Sequence, residues 1–215
     1  MKNSSTRILT THVGSMVRPP DVMEIMKAKE AGQPYDPEEL AGRVRDSVKE
    51  VVRRQVETGI DVPSDGEYGK PSFSVYVHDR LTGFERRPAD PADGPLVSRG
   101  RDQTTFKEFY EEYEGANQGN SGVVAGQPVV CTGPITYRGQ DAVQSDIANF
   151  KAALEGVNPE EAFIPAVAPG TIELQRRNVY YPSEEEFLLA IADAMKVEYR
   201  AIIEAIQKLG QARSA

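Results

Sequence analysis

The stretch ETGIDVPSDGE at residues 57–67 joins a helical pattern to a strand and then to a polar turn. Before it, apolar residues at helical spacing run through residues 40–56, behind an N-terminal capping pattern that begins at Asp36. Gly59 is placed to end that helix, and the segment Ile60-Asp61-Val62 begins a short strand. The order of helix, strand and glycine-containing turn is typical of βα units with parallel strands.

The same alternation recurs along the chain. Residues 8–13, 128–131 and 163–168 also predict strands, and residues 141–154 and 183–209 predict further helices. This pattern predicts an α/β fold of TIM-barrel-type parallel βα units. Because a complete barrel of eight units needs about 250 residues, we expect only the first four units here, as a truncated half barrel.

Domain organisation follows from the same count. We expect residues 1–215 to form a single domain, with a long loop or insertion region at residues 86–126 that contains a short helix at 106–114. Four units would leave two sheet edges without partners. This predicts a homo-oligomer, or pairing with the C-terminal half of a barrel.

Composition limits the class of protein. Apolar residues make up 39% of the chain and charged residues 27%, which is ordinary for a soluble globular protein. A net charge of −8 argues against nucleic acid and anionic membranes as partners. No apolar run resembles a signal peptide or a membrane span, and the lone Cys131 excludes an intrachain disulfide. These features predict a cytoplasmic protein.

Active sites of α/β barrels form at the C-terminal ends of the strands, and the first such end here is the segment 10–15, TTHVGS. Backbone amides at Val13 and Gly14, with the hydroxyl of Ser15, would suit a carboxylate. From spacing alone, however, an ordinary turn before a proline-rich stretch is favoured.

The second strand end is Ser64-Asp65-Gly66-Glu67. Two carboxylates around a glycine can hold an ammonium group, share a proton or bind a divalent cation. Composition alone favours a solvated acidic turn.

The remaining strand ends are the segments 131–136, CTGPIT, and 168–171, APGT. Cys131 could act as a thiolate ligand or nucleophile, but a lone cysteine in a strand is more often a small buried apolar residue. Four strand ends that are each followed by a glycine fit a barrel mouth without naming a substrate. Dinucleotide, nucleotide, zincin and α/β-hydrolase motifs do not occur.

These segments, in this order, resemble the catalytic barrel of cobalamin-independent methionine synthases. The resemblance is greatest to short, single-barrel methyltetrahydropteroyltriglutamate–homocysteine methyltransferase-like proteins, which also resemble epoxyalkane–coenzyme M transferases. It extends from about Arg7 to Ala205 and covers the N-terminal half of such a barrel. The stretches that carry it are residues 9–15, 59–62, 65–67, 132–136 and 190–205.

The resemblance implies roles for particular residues. The backbone at Val13 and Gly14 and the hydroxyl of Ser15 would receive the carboxylate of homocysteine, and Glu67 would hold its α-ammonium group. Thr132 and Gly133 match a motif of the third barrel strand that lines the pocket.

Other positions depart from the family or stay open. His12 and Asp65 are further candidates, although Asp65 stands where the better-known synthases often have histidine. No catalytic residue is identified. The family holds zinc with a His-x-Cys pair, a Glu and a second Cys from the second half of the barrel, and no residue here matches them. We therefore expect no cofactor site in this chain.

Three functions remain open. The first is transfer of a methyl group from a methylated folate to the thiol of homocysteine, with the zinc-binding half supplied elsewhere. The second is a catalytically inactive, self-associating half barrel that keeps an amino-acid or thiol pocket. The third is a thiol alkyltransferase of the epoxyalkane–coenzyme M type. Barrels of the uroporphyrinogen decarboxylase type need clustered cations, whereas the arginines here are scattered.

Overall fold

The computed structural model describes residues 4–88, 101–117 and 129–212 and shows a mixed α/β fold. Helices predominate in the described chain, and three short strands lie between groups of helices. In chain order, the elements are α1 (Pro20–Glu30), α2 (Pro37–Glu57), α3 (Val77–Arg80), β1 (Phe84–Arg86), α4 (Arg101–Thr105), α5 (Lys107–Asn117), β2 (Val129–Cys131), α6 (Gln140–Ala153), α7 (Pro169–Leu174), β3 (Arg177–Asn178) and α8 (Glu184–Ala212).

Helix α2 forms as its sequence predicts. The Asp36 side chain accepts hydrogen bonds from the backbone N–H groups of Glu38 and Glu39, at 2.8 and 3.2 Å, and so satisfies donors that a helix start leaves free. The apolar stripe is buried at Val44, Val48, Val51 and Val52.

Helix α8 is the long predicted helix at the end of the chain. The Ser183 hydroxyl accepts a hydrogen bond from the backbone N–H of Glu186 at 3.1 Å and so caps the start of the helix. Its buried face includes Phe187, Ile191 and Met195. Helix α8 packs against α6 and α7, and these three residues share an apolar cluster with Ile172 of α7.

Two single-residue bridges pair predicted strands in the parallel sense. Thr11 pairs with Val62, and Ser64 pairs with Phe163, both in the parallel sense. The first and second predicted strands are therefore neighbours, and the predicted strand at 163–168 lies directly beside the second.

The strand predicted at residues 128–131 is confirmed as β2, but the prediction that it continues a series of parallel barrel strands was wrong. Strand β2 pairs antiparallel with β1 and parallel with β3, in a three-stranded sheet of order β1-β2-β3. All three β2 residues are buried. Their apolar sequence therefore does not show whether a neighbouring strand runs parallel or antiparallel to them. The described residues therefore show parallel bridges and a small mixed sheet instead of four successive parallel strands.

The region at residues 86–126 is partly helical. Helix α5 confirms the helix expected at 106–114, and α4 precedes it. The rest of the region, residues 89–100 and 118–126, lies outside the described residues. No helix among the described residues is both long and apolar enough to cross a membrane.

Candidate functional site

The first two strand ends meet at Ser15 and Glu67. The Ser15 hydroxyl donates a hydrogen bond to Oε2 of Glu67 at 2.5 Å. Beside this contact, the backbone N–H of Met16 donates to the carbonyl of Gly66 at 3.1 Å. The parallel bridge between Thr11 and Val62 aligns the two segments. Two residues that the sequence separates by 52 positions are thus brought into contact.

The backbone of Glu67 is strained. Its φ of +60° is the only positive φ at a non-glycine residue among the described ranges. Two contacts hold it there: the Glu67 N–H donates to Oδ1 of Asp65 at 2.9 Å, and Nη2 of Arg18 donates to the Glu67 carbonyl at 2.8 Å. Left-handed backbone at such a residue costs about 1–3 kcal/mol and is concentrated at functional sites. The strain therefore supports a functional role for Glu67.

Asp65 lies beneath this turn and is 4% exposed. Burial raises the pKa of its carboxyl group to about 6, while the positive charge of Lys70 opposes the rise. Asp65 is therefore ionised at neutral pH but close to titration. Its observed role is to accept the N–H of Glu67.

The turn at residues 12–15 is open to solvent. Val13 is 80% exposed, and His12 and Ser15 are exposed as well. Gly14 has a φ of +91°, which favours glycine. No described residue accepts a hydrogen bond from the backbone N–H of Val13 or Gly14, so both amides can receive an anion.

Thr132 and Gly133 contact a different turn, at Gly83. Their backbone N–H groups donate to the carbonyl of Gly83, at 2.9 and 3.3 Å. A Cβ at Gly83 would lie 2.5 Å from the Gly133 carbonyl, so the two turns pack too closely for a side chain. No hydrogen bond within the described part of the chain joins Thr132 or Gly133 to Ser15 or Glu67. Their pocket role remains a prediction.

Cys131 behaves as a small buried apolar residue. It is fully buried, its Sγ donates a hydrogen bond to the Gly133 carbonyl at 3.4 Å, and burial raises the pKa of its thiol. The structure therefore favours the packing interpretation over a thiolate ligand or nucleophile.

Sequence reasoning missed a buried network of charges beside the site. The guanidinium group of Arg80 bridges Oε2 of Glu198 at 3.0 Å and Oδ2 of Asp146 at 2.6 Å. Tyr76 and Tyr137 donate their hydroxyls to the two oxygens of Glu198, at 2.8 and 2.7 Å. The network joins α3, α6 and α8.

One sequence signal could have revealed this network. Glu198 falls three residues after Met195 and four before Ile202, on the apolar stripe of α8. A carboxylate on a buried stripe needs cationic or hydroxyl partners. The identity of those partners depends on tertiary packing.

His78 lies on helix α3, between two arginine side chains. It is half-buried, with Nε2 at 3.1 Å from Arg176 and Nδ1 at 3.3 Å from Arg86. Burial, together with the charges of Arg176 and Arg86, lowers the pKa of its imidazole to about 3.

We expect His78 to stay neutral down to about pH 4 in the folded chain. In the unfolded chain it takes up a proton near pH 6.5, so its contribution to the free energy of unfolding is lost as pH falls from 6.5 towards 3. Urea unfolding at several pH values gives the free energy of unfolding as a function of pH. Between pH 6.5 and 3 this free energy should fall less steeply for His78→Gln than for the wild type. His12→Gln is the matched control, and equal slopes for His78→Gln and the wild type would contradict the assignment.

The described residues do not fit the zinc site that the family resemblance implies. Among them, no group of three or more His, Cys, Asp or Glu side chains could hold a metal ion.

The described residues also form two open grooves. One, of about 550 Å³, lies between the segment 17–21 and α2, and includes Arg18 and Tyr68. The other, of about 390 Å³, lies between α6 and α8. Neither is lined by Ser15 or Glu67, so we assign the site from the hydrogen-bond geometry at the strand ends.

Known proteins resemble this chain in sequence and in structure. No family model matches the chain. A methionine synthase from Pyrococcus furiosus is 25% identical over 195 residues, which cover 90% of this chain and 47% of that protein. A methionine synthase from Sulfolobus acidocaldarius is 36% identical over 85 residues, or 40% of this chain and 25% of that protein.

Solved structures give the same fold relationship. A B12-independent methionine synthase from Shewanella sp. W3-18-1, in complex with selenomethionine, superposes with a TM-score of 0.59 at 16% identity over 91% of this chain and 48% of that chain. A putative vitamin-B12 independent methionine synthase from Listeria monocytogenes gives a TM-score of 0.58 at 19% identity over 93% and 50%. The chain is similar to cobalamin-independent methionine synthases over about 90% of its residues and spans about half the length of these relatives.

Proposed function

We propose that this chain supplies the amino-acid pocket of a thiol methyltransferase that makes methionine from homocysteine. The observation that carries the proposal is the contact between Ser15 and Glu67 at adjacent strand ends. The amides of Val13 and Gly14 and the hydroxyl of Ser15 would receive the α-carboxylate of the substrate. Glu67, held in a strained turn, would receive its α-ammonium group.

The chemistry of these groups matches a zwitterionic amino acid. Amide and hydroxyl donors stabilise an anion, and a largely buried carboxylate stabilises a cation through a charge-assisted hydrogen bond. The Ser15 hydroxyl now donates to Glu67, and a bound amino acid would take its place between the two. The selenomethionine in the Shewanella relative is an amino acid of this class.

The other half of the reaction lies outside this pocket. In the family, zinc activates the thiol of homocysteine by favouring its ionised form. We propose that the residues that hold the metal, and the site for a methylated folate, belong to a second barrel half. That half is either another chain or a further part of the same polypeptide.

An exposed apolar edge supports pairing with a second half. Ile8, Val13 and Val17 flank the first strand and are 83, 80 and 92% exposed. Thr11, between them, pairs with Val62 on one side. Apolar residues beside a strand edge are typical of a surface that another element covers. Self-association through this edge, as an inactive half barrel, is the alternative function that the same observation supports.

Binding of L-methionine tests the pocket without requiring zinc or a methyl donor. Isothermal titration calorimetry should detect L-methionine binding, and should show binding of 4-(methylthio)butanoate that is at least about tenfold weaker, because the analogue lacks the α-ammonium group. Equal affinities, or no binding of either compound, would contradict the proposed pocket.

A further inference from the structure

Lys70 is almost completely buried, with 2% of its surface exposed. Its Nζ donates a hydrogen bond to the carbonyl of Pro165 and lies 4.8 Å from the ring centroid of Tyr76. A buried ammonium group is costly unless its hydrogen bonds and charge are satisfied, and an aromatic face satisfies only part of that need. The burial of Lys70 therefore calls for an explanation.

The position of Lys70 connects two strand ends. Pro165 lies two residues beyond Phe163, which bridges Ser64 of the second strand. At its other end, the backbone N–H of Lys70 donates to the carbonyl of Glu67 at 3.1 Å. Lys70 thus closes the turn that carries Glu67 and fastens it to the neighbouring strand end.

Lys70 is also the cation that acts on Asp65. Burial raises the pKa of the Asp65 carboxyl group, and the carboxylates of Asp146 and Glu67 raise it further. The charge of Lys70 and the hydrogen bond from the Glu67 N–H lower it. Without the charge of Lys70, Asp65 would bind a proton more readily at neutral pH. A protonated Asp65 is a weaker acceptor for the Glu67 N–H than a carboxylate is.

We propose that Lys70 is a positioning residue of the amino-acid pocket: its buried ammonium group ties the Asp65–Glu67 turn to the strand end at Pro165 and balances the charge of Asp65. Asp65 then holds the strained backbone of Glu67, whose carboxylate receives the ligand. This inference rests on the proposed function for its ligand, but the link between Lys70 and Asp65 is independent of any ligand.

Carbon-13 NMR of the Asp65 carboxyl group tests that link in the ligand-free protein. Replacing Lys70 with methionine keeps the length and apolar stem of the side chain and removes its charge. Lys70→Met should raise the midpoint of the Asp65 titration by at least about one pH unit, which is a tenfold change in its proton affinity. Lys27→Met, at an exposed position of α1, should leave the midpoint unchanged. An unchanged midpoint in Lys70→Met would overturn the inference.

Methionine affinity tests the consequence for the pocket. Lys70→Met should bind L-methionine about tenfold more weakly at pH 7 and recover part of the loss at pH 8.5, where Asp65 is ionised again. A merely structural role would give the same loss at both pH values and would contradict the proposal.

A second variant keeps the inference testable if Lys70→Met does not fold. Combining Lys70→Met with Asp65→Asn removes both charges and retains an acceptor for the Glu67 N–H. The double variant should fold and bind L-methionine within about threefold of the wild type. If it behaves no better than Lys70→Met, the charge balance is not the role of Lys70.

The experiments distinguish failure of the proposed function from failure of the role of Lys70. Absence of methionine binding in the wild type, with a shifted Asp65 titration in Lys70→Met, would remove the proposed function and leave the Lys70–Asp65 link standing. Methionine binding in the wild type, with no shift of the Asp65 titration, would remove the role of Lys70 and leave the pocket.

Discussion

Replacing Glu198 with alanine is expected to lower the free energy of unfolding by about 3–5 kcal/mol, because a broken buried ion pair leaves its partner charge uncompensated. Glu198 is fully buried and is held by Arg80 and by the hydroxyls of Tyr76 and Tyr137. The substitution leaves Arg80, whose side chain is only 5% exposed, with Asp146 as its remaining carboxylate. Urea unfolding followed by circular dichroism measures the effect.

Glu204→Ala is the matched control, because Glu204 is exposed on the same helix. A surface substitution of this kind changes the free energy of unfolding by no more than about 0.5 kcal/mol. A loss below about 1 kcal/mol for Glu198→Ala would mean that the network does not hold α3, α6 and α8 together in solution.

Replacing Glu67 with alanine is expected to weaken L-methionine binding by roughly 1.5–3 kcal/mol, or about 10- to 150-fold, which is typical of a hydrogen bond to a charged group. The Glu67 side chain meets Ser15 at 2.5 Å, where an ammonium group would be received. Alanine would keep the strained φ of +60°, so the change in binding reports mainly the carboxylate. Isothermal titration calorimetry at neutral pH gives the two affinities.

Glu24→Ala, on the exposed side of α1, should leave L-methionine affinity within about twofold of the wild type. If Glu67→Ala and Glu24→Ala bind L-methionine equally well, Glu67 does not receive the ammonium group.

The helices could be predicted from sequence because their signals are local. The cap at Asp36 and the valine stripe of α2 lie within one segment, as do Ser183 and the apolar face of α8. Each signal is complete without knowledge of the rest of the chain.

Strand pairing could not be predicted because it depends on distant segments. The sequence of the buried strand β2 does not distinguish an antiparallel partner, which the structure shows at β1, from the parallel neighbour expected in a barrel. For the same reason, the roles implied for Thr132 and Gly133 are not supported by contacts, whereas those of Ser15 and Glu67 lie on strand ends that do meet.

Two charged residues that contact the Glu67 turn escaped sequence reasoning for a physical reason. Arg18 and Lys70 carry charges that a sequence-based interpretation places in solvent. Each instead donates a side-chain hydrogen bond to a backbone carbonyl at least 49 positions away. Only the tertiary fold shows which charges are buried together.

A thermodynamic cycle tests the amino-acid pocket most directly. It combines Glu67→Gln, which removes the charge and keeps the shape of the side chain, with the change of ligand from L-methionine to 4-(methylthio)butanoate. If Glu67 receives the α-ammonium group, the wild type should prefer L-methionine by about tenfold or more, and Glu67→Gln should lose most of that preference, with a coupling free energy above about 1 kcal/mol. An undiminished preference in Glu67→Gln, with a coupling free energy near zero, would contradict the pocket.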